Sequence, residues 1–392
     1  MPSQKRENER KEKELKNELK TKRIIWIVLI FVVFALIIMR ICEVDFKELK
    51  NRFIDENGHL TFSMTTNEDA YPYALSSSSG VKVEPIGDKL SVLNDTTLCV
   101  LNPSDAKVVY TFSHGFANPV IKYAGNYFCL IDQGATRLRL DRANKNVFET
   151  KTDMPIVCAD VAKNGNIVYI TREQNGKSHL NVINSTLKKL MSLEINDGYS
   201  VYCSIDSSGK KIAYATANSK GADFITTVYT VNLGDDEPRA SFEFKNSSLM
   251  DLHYATASDL YYISTSGVSV IKNQKRLSET FKEGSVNTVC FNYTKDNELV
   301  YVYSKYTSAN ENKLVYINSS GRVKTEINLK QRPKYISASN EICVLFSDKI
   351  VTYSMTKGEA KKTYKCDDSI TSANKISTKI FVSRQKLIDV ID

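Results

Sequence analysis

Short apolar runs separated by turn residues fill the chain from Gly58 onwards, with no helical periodicity. One unit recurs eight times: a turn rich in Gly, Asn, Asp or Ser leads into a strongly apolar strand. An alternating strand and a more polar strand usually follow, and a further strand precedes the turn, which gives the four strands of a β-propeller blade. The sequence therefore predicts an all-β fold, an eight-bladed β-propeller, with seven blades if one unit is misread. The first apolar positions of the eight units, spaced by 38 to 48 residues, are Leu90, Phe128, Ile167, Ile212, Leu260, Leu299, Ile342 and Ile380.

The last unit stops at its third strand, "KLIDVID", so its outermost strand must come from elsewhere in the chain, or the blade keeps an open edge. The strand-like segment "HLTFSM", residues 59–64, belongs to no unit. We expect it to complete the last blade, which closes a propeller domain spanning residues 58–392 by joining its two ends in one sheet.

An uninterrupted apolar run, "IIWIVLIFVVFALIIM", occupies residues 24–39. Extended to Cys42, it makes about 28 Å of helix, which is enough to cross a bilayer. A buried core helix would carry a polar stripe, and a cleaved signal peptide would end in small residues, whereas "MRICEVDF" follows here. We predict an uncleaved transmembrane signal anchor at residues 24–42 and a juxtamembrane helix or linker at residues 43–57.

Charge predicts the orientation of that span. Residues 5–23 carry nine Lys or Arg, within a basic tail at residues 1–23 that should stay in the cytoplasm and leave the propeller outside. Of the net charge of +8, residues 1–42 hold ten Lys or Arg against five Glu, leaving about +3 for the rest of the chain. Because the propeller itself is near neutral, we expect no nucleic-acid partner.

Motifs that carry catalysis or bind cofactors are missing from the sequence. The four histidines, at positions 59, 114, 179 and 253, fall in no metal-binding spacing, and no phosphate loop or nucleophile elbow occurs. Seven of the eight cysteines lie in the propeller, and Cys158, Cys203 and Cys290 sit in apolar runs, which indicates buried free thiols. We expect no cofactor and no metal.

The segment "LIDQGATRLRLDR", residues 130–142, places charged residues in a strand that alternates like a buried one. Arg137, Arg139 and Asp141 share one face, and Asp132 lies across the turn. One interpretation is an internal brace, with at least one of Arg137 and Arg139 buried and Arg142 more exposed. The other is an anion site, because Arg forks suit carboxylate and phosphate.

Two motifs, "HGFANP" and "DQGATRLRL", together with the basic tail, the single span and the tryptophan-free propeller, carry a family resemblance. The chain resembles the domain-of-unknown-function 5711 family, single-span envelope proteins of clostridia-like Gram-positive bacteria with a propeller fold. The candidate family-motif residues are His114, Gly115, Asn118 and Pro119. The resemblance implies location and fold and assigns no catalytic residue.

These observations favour a membrane-anchored extracytoplasmic propeller that acts as a non-catalytic binding or scaffold module for a protein or a cell-envelope polymer. The alternative is an enzyme, a hydrolase or lyase of an envelope polymer, with its site at the mouth of the propeller channel. Three or more ionisable side chains converging at a channel mouth would favour the enzyme. An apolar or aromatic surface patch would favour docking.

Overall fold

The structure of the protein, a computed structural model, describes residues 71–77, 79, 81–279, 286–305 and 311–391. These ranges form eight four-stranded antiparallel sheets, so the prediction of an eight-bladed β-propeller is confirmed. Within them, no helix is long and apolar enough to cross a bilayer. The predicted tail, span and juxtamembrane linker, residues 1–57, lie outside the described residues.

Strand β1 (Tyr73–Ala74) precedes the first complete blade. The strands of blades 1 to 4 then follow in chain order: β2 (Lys82–Ile86), β3 (Lys89–Leu93), β4 (Thr97–Leu101), β5 (Val108–Ser113); β6 (Pro119–Ala124), β7 (Tyr127–Asp132), β8 (Arg137–Arg142), β9 (Lys145–Lys151); β10 (Ile156–Val161), β11 (Ile167–Arg172), β12 (Ser178–Ile183), β13 (Lys189–Ile195); β14 (Tyr199–Ile205), β15 (Lys211–Lys220), β16 (Asp223–Asn232), β17 (Ala240–Lys245).

The strands of blades 5 to 8 continue the same order: β18 (Leu249–Tyr254), β19 (Leu260–Ser264), β20 (Gly267–Lys272), β21 (Arg276–Glu279); β22 (Asn287–Tyr293), β23 (Leu299–Ser304), β24 (Asn312–Ile317), β25 (Val323–Leu329); β26 (Tyr335–Ala338), β27 (Ile342–Leu345), β28 (Lys349–Tyr353), β29 (Ala360–Lys365); β30 (Ile370–Ile376), β31 (Lys379–Arg384), β32 (Leu387–Ile391).

The first strand of each blade lies innermost, because first strands of neighbouring blades contact one another, as β10 does with β6 and β14. The remaining strands of blades 1 to 7 follow outwards in sequence order, and blade 8 runs outwards as β30, β31, β32 and β1. The eight innermost strands therefore surround the central channel.

The apolar core is divided among the junctions between blades. Eight separate clusters of buried side chains occur, and each combines residues of two neighbouring blades. In the junction of blades 2 and 3, Leu138 and Leu140 of β8 are fully buried. Full burial of one such side chain stabilises the fold by about 1.5–3 kcal/mol. Each blade is thus held by its neighbours.

Strand β1 completes the eighth blade. Tyr73 pairs with Ile388 and Ala74 with Leu387, and Leu75 N donates to Lys386 O at 2.8 Å. The outermost position that we expected residues 59–64 to fill is therefore occupied by Tyr73–Ala74, and residues 59–64 lie outside the described residues. An amino-terminal strand does close the last blade, but a strand of only two residues is too short to show an alternating pattern in the sequence.

The recurring Ser-Gly and Asn-Gly turns have a physical reason at Gly209. Its φ is +71°, and an added Cβ would lie 2.7 Å from the side-chain amide of Asn164 in the neighbouring blade. That amide donates to Ser208 O at 2.9 Å. Only glycine combines this conformation with such close approach, so the turn joins blades 3 and 4.

Candidate functional site

A ring of polar side chains surrounds the channel. In every blade, the first apolar residue of the second strand pairs with a residue of the first strand, and the residue before that partner is polar. We call these eight residues the polar ring: Glu84, Lys122, Asp160, Ser204, His253, Asn292, Ser337 and Asn374.

Members of the polar ring hydrogen-bond to the first strand of the next blade. Asp160 Oδ2 accepts bonds from Ser204 Oγ and Ile205 N in blade 4, both at 3.0 Å. Asn292 Nδ2 donates to Ile336 O in blade 7 at 3.0 Å. The junction of blades 8 and 1 follows the same pattern, because Asn374 Nδ2 donates to Val83 O at 2.7 Å. The ring therefore bonds the inner strands to one another, including those on either side of the closure.

Charged groups converge in one half of the channel. Lys122 Nζ of blade 2 lies 3.4 Å from Asp251 Oδ1 of blade 5 and 5.5 Å from the ring centroid of Tyr202 in blade 4. Tyr293 of blade 6 donates its hydroxyl to Asp251 Oδ2 at 2.6 Å. We call Lys122, Asp160, Asp251 and His253, with Tyr202 and Tyr293, the channel cluster.

Burial and mutual attraction set the protonation of the channel cluster. Asp251 raises the pKa of Lys122, which therefore stays cationic at neutral pH. Burial raises the pKa of Asp160, although Lys122 and His253 act in the opposite direction. Burial lowers the pKa of His253, so its imidazole is neutral at pH 7. One ammonium group thus faces two carboxyl groups, with a neutral imidazole beside them.

Most polar atoms of the channel cluster already have partners within the protein. Asp251 contacts Lys122 and Tyr293, while Asp160 accepts from Ser204 and from two backbone N–H groups. The exception is His253, whose ring stacks on Tyr293 at 4.0 Å and whose Nε2 is buried without a hydrogen-bond partner. The two carboxyl groups are therefore engaged within the protein and do not form a free general base or nucleophile.

Sequence reasoning missed the channel cluster, because its members come from five different blades. A signal existed: polar-ring residues stand five to eight positions before the first apolar residue of each repeat, as Lys122 does before Phe128. Because this spacing varies from blade to blade, alignment of the eight repeats on that apolar residue does not bring the polar residues into one column.

Arg139, in the candidate brace, is largely buried, with its side chain 13% exposed. Its Nε and Nη2 donate to the two oxygens of Asp141 at 2.7 and 2.9 Å, and its Nη1 donates to Glu149 at 2.9 Å. From blade 1, the Tyr110 hydroxyl accepts from Nη2 at 2.6 Å, and the Phe112 ring lies 3.7 Å from the guanidinium carbon. The guanidinium therefore links blade 2 to blade 1.

Arg137 makes a second, more exposed link in the same place. It donates to Glu149 Oε1 at 2.7 Å and to Gly115 O at 3.2 Å, and it lies over the Phe116 ring at 4.3 Å. Arg142 is exposed and donates to the Tyr127 hydroxyl. Because the oxygens that hold both guanidiniums belong to the protein itself, the geometry favours a brace over an anion pocket.

The "HGFANP" motif forms part of the same junction. His114 is buried, with Nε2 2.9 Å from Asn94 O and Nδ1 accepting from Phe116 N at 3.0 Å, so Nε2 carries the proton. Asp132 accepts from Asn118 N at 2.9 Å, and Pro119 opens β6. Asp132 therefore fixes the turn, and the carboxylates that bind the arginines are Asp141 and Glu149. Glu149 and Tyr110 were not foreseen as partners.

An aromatic rim distinguishes blade 4 on the surface. Tyr199, at the start of β14, is 64% exposed, and Phe224 is 41% exposed. Strands β15 and β16 pair with each other up to Lys220 and Asp223. The neighbouring strand β14 pairs with β15 only up to Ala217. The hairpin tip therefore projects past Tyr199, whose ring lies 5.5 Å from the Arg172 guanidinium carbon. We call Arg172, Tyr199 and Phe224 the blade-4 rim.

Within the described ranges, no group of three or more His, Cys, Asp or Glu side chains is placed to hold a metal ion. The seven cysteines from Cys99 to Cys366 are unpaired.

Eight blades around a channel lined by first strands define an eight-bladed β-propeller. The chain belongs to the family of unknown function DUF5711, which it matches over residues 54–392.

Among solved structures, it is similar to Sqt1 of Saccharomyces cerevisiae, with 11% identity and a TM-score of 0.52, over 82% of this chain and 99% of that one. It is also similar to the C-terminal WD40 domain of Sif2, with 12% identity and a TM-score of 0.55, over the same shares. At these identities the similarity shows the fold alone. No curated protein matches the sequence.

Proposed function

We propose that this protein is a non-catalytic docking module for a protein partner, anchored in the cytoplasmic membrane by residues 24–42, with its propeller on the outer side. We further propose an envelope of the clostridia-like Gram-positive type, in keeping with the sequence resemblance. The observation that carries the docking role is the blade-4 rim.

Exposure and composition support docking at the blade-4 rim. Solvent-exposed aromatic residues beside an arginine are the composition that protein interfaces concentrate at their centre. Tyr199 and Phe224 are both exposed on blade 4, and Arg172 of blade 3 lies beside Tyr199. Leu387, another exposed apolar residue, stands alone on blade 8 at 39% exposure. The rim therefore offers a partner two exposed aromatic rings and an arginine.

The channel cluster supports the absence of catalysis. A carboxyl group that acts as a general acid or base must be able to reach a substrate. Asp251 and Asp160 are instead engaged by neighbouring side chains and backbone, and Lys122 is engaged by Asp251.

Photo-crosslinking in the native cell tests the docking role. A benzophenone amino acid placed at Tyr199 should give one discrete adduct with another protein. In a second experiment the probe is placed at Arg172, and the double variant Tyr199→Ala/Phe224→Ala should then abolish capture of that protein. The matched control carries the probe at Leu387, which should give no such adduct. Equal adducts at both positions, or a smear of polymer at Tyr199, would contradict a protein-specific rim.

A second candidate function is an envelope-polymer hydrolase or lyase centred on the channel. The observation in its favour is the unpartnered Nε2 of His253 beside Asp251 and Lys122. The variants His253→Gln and Asp251→Asn separate the two candidates. Docking predicts unchanged crosslinking at Tyr199, and an enzyme predicts a changed envelope polymer in cells that carry either variant.

A further inference from the structure

Two cysteines face each other at the junction of blades 3 and 4. Cys158 lies on β10 and Cys203 on β14, and their sulfur atoms are 3.4 Å apart. Both are innermost strands, so the pair lies in the channel wall beside the channel cluster. No step in the proposed docking role uses these thiols.

The strand register explains why these two side chains meet. Cys158 precedes the polar-ring residue Asp160 by two positions, so it shares the face that looks towards blade 4. Cys203 lies on the blade-3 side of β14, because it packs in the apolar cluster of that junction and its Sγ is 3.9 Å from Val168 O of blade 3. The two bonds from Asp160 to Ser204 Oγ and Ile205 N fix the strands at this register.

The same register in the other seven junctions brings no second pair of cysteines together. Cys290 of blade 6 occupies the position of Cys158, but the residue of blade 7 that corresponds to Cys203 is Ile336. Cys290 is therefore a matched reference: it has the same residue type, the same strand position and similar partial exposure, but its counterpart has no thiol.

We propose that Cys158 and Cys203 form a reversible disulfide that joins blades 3 and 4 in the channel wall, with a low-molecular-weight disulfide as the oxidant. A disulfide bond of about 2.05 Å requires the sulfur atoms to approach by only about 1.4 Å. Side-chain rotation within two strands already held in register supplies that movement.

The order of the two steps follows from exposure. Cys158 is partly exposed, whereas Cys203 is 2% exposed. Burial, reinforced by Cys158, raises the pKa of the Cys203 thiol. The Cys158 thiolate attacks the external disulfide, forms a mixed disulfide and releases one thiolate. Cys203 then loses its proton and attacks Cys158 Sγ, expelling the second thiolate. Two protein thiols are oxidised, and one external disulfide is reduced to two thiols.

Oxidised glutathione added to the purified full-length protein in detergent tests the proposal. The expected result is loss of two free thiols, one peptide containing both Cys158 and Cys203 after non-reducing digestion, and full recovery with a reducing agent. The Cys203→Ser variant should stop at a glutathione adduct on Cys158. The Cys290→Ser control should form the linked peptide as the parent does.

The peptide map of the parent protein decides the question without any variant. A stable glutathione adduct on parental Cys158, or linkage of Cys158 to a cysteine other than Cys203, would overturn the proposal. So would full retention of both thiols at an oxidant concentration that modifies Cys290.

Discussion

Replacing Arg139 by leucine removes the guanidinium that links blade 2 to blade 1. Asp141, whose side chain is 0% exposed, would keep only the Tyr110 hydroxyl and the Asn146 amide as side-chain donors. Loss of one partner of a buried ion pair costs about 3–5 kcal/mol, because the remaining charge stays buried. For roughly 320 propeller residues, at about 2.1 cal/mol/K of unfolding entropy per residue, that loss lowers the Tm by about 4–7 °C.

Thermal melting followed by circular dichroism measures this effect. Arg142→Leu is the matched control, because Arg142 is exposed on the same strand, and its Tm should change by less than about 1 °C. The double variant Arg139→Leu/Asp141→Leu should melt above Arg139→Leu, since no buried charge is left unpaired. If Arg139→Leu melts within about 1 °C of the parent while partner binding disappears, the brace is refuted and the segment is a binding site.

Three further predictions concern the channel, the closure and the anchor. Burial raises the pKa of Glu84 from 4.5 to about 7 in the folded protein. Because the folded state then binds the Glu84 proton more tightly than the unfolded state, the free energy of unfolding should fall as the pH rises from about 4.5 to 7, by at most about 3 kcal/mol. Glu84→Gln should remove that fall in urea titrations, and equal pH dependence of both proteins would contradict the burial argument. Deleting residues 71–75 should speed hydrogen exchange of the amides at residues 387–391 but not at residues 349–353, and unchanged exchange at the former would refute closure by β1. A membrane-impermeant protease should degrade the propeller in intact, wall-stripped cells, whereas protection until lysis would reverse the proposed orientation.

The blades could be predicted because their signals are local. Alternation within a strand and a turn before Ile167 or Ile212 act over a few residues, so the sequence alone determined the number of units and the position of each second strand. The alternation in β8 likewise placed Leu138 and Leu140 on one face and the arginines on the other.

The channel cluster could not be predicted in the same way, because its contacts depend on how far the ring turns between blades. Lys122 and Asp251 are 129 residues apart, and nothing near either residue specifies the other. Glu149 was missed for a related reason. Its pairing with Arg139 across two strands depends on the β8–β9 register, which contains a bulge near Leu140.

The closing strand has a consequence for when the protein can fold. Tyr73 and Ile388 are separated by more than 300 residues, so the eighth blade cannot form until almost the whole propeller sequence has been synthesised. Bringing such distant segments together costs chain entropy that only the finished sheet offsets, which makes closure a slow, late step. Until then the inner strands of blades 8 and 1 lack their mutual bonds, and the nascent chain carries β1 unpaired and the side of blade 1 that later packs against blade 8 uncovered. We therefore expect that apolar side of blade 1 to need protection during synthesis, before any partner is met.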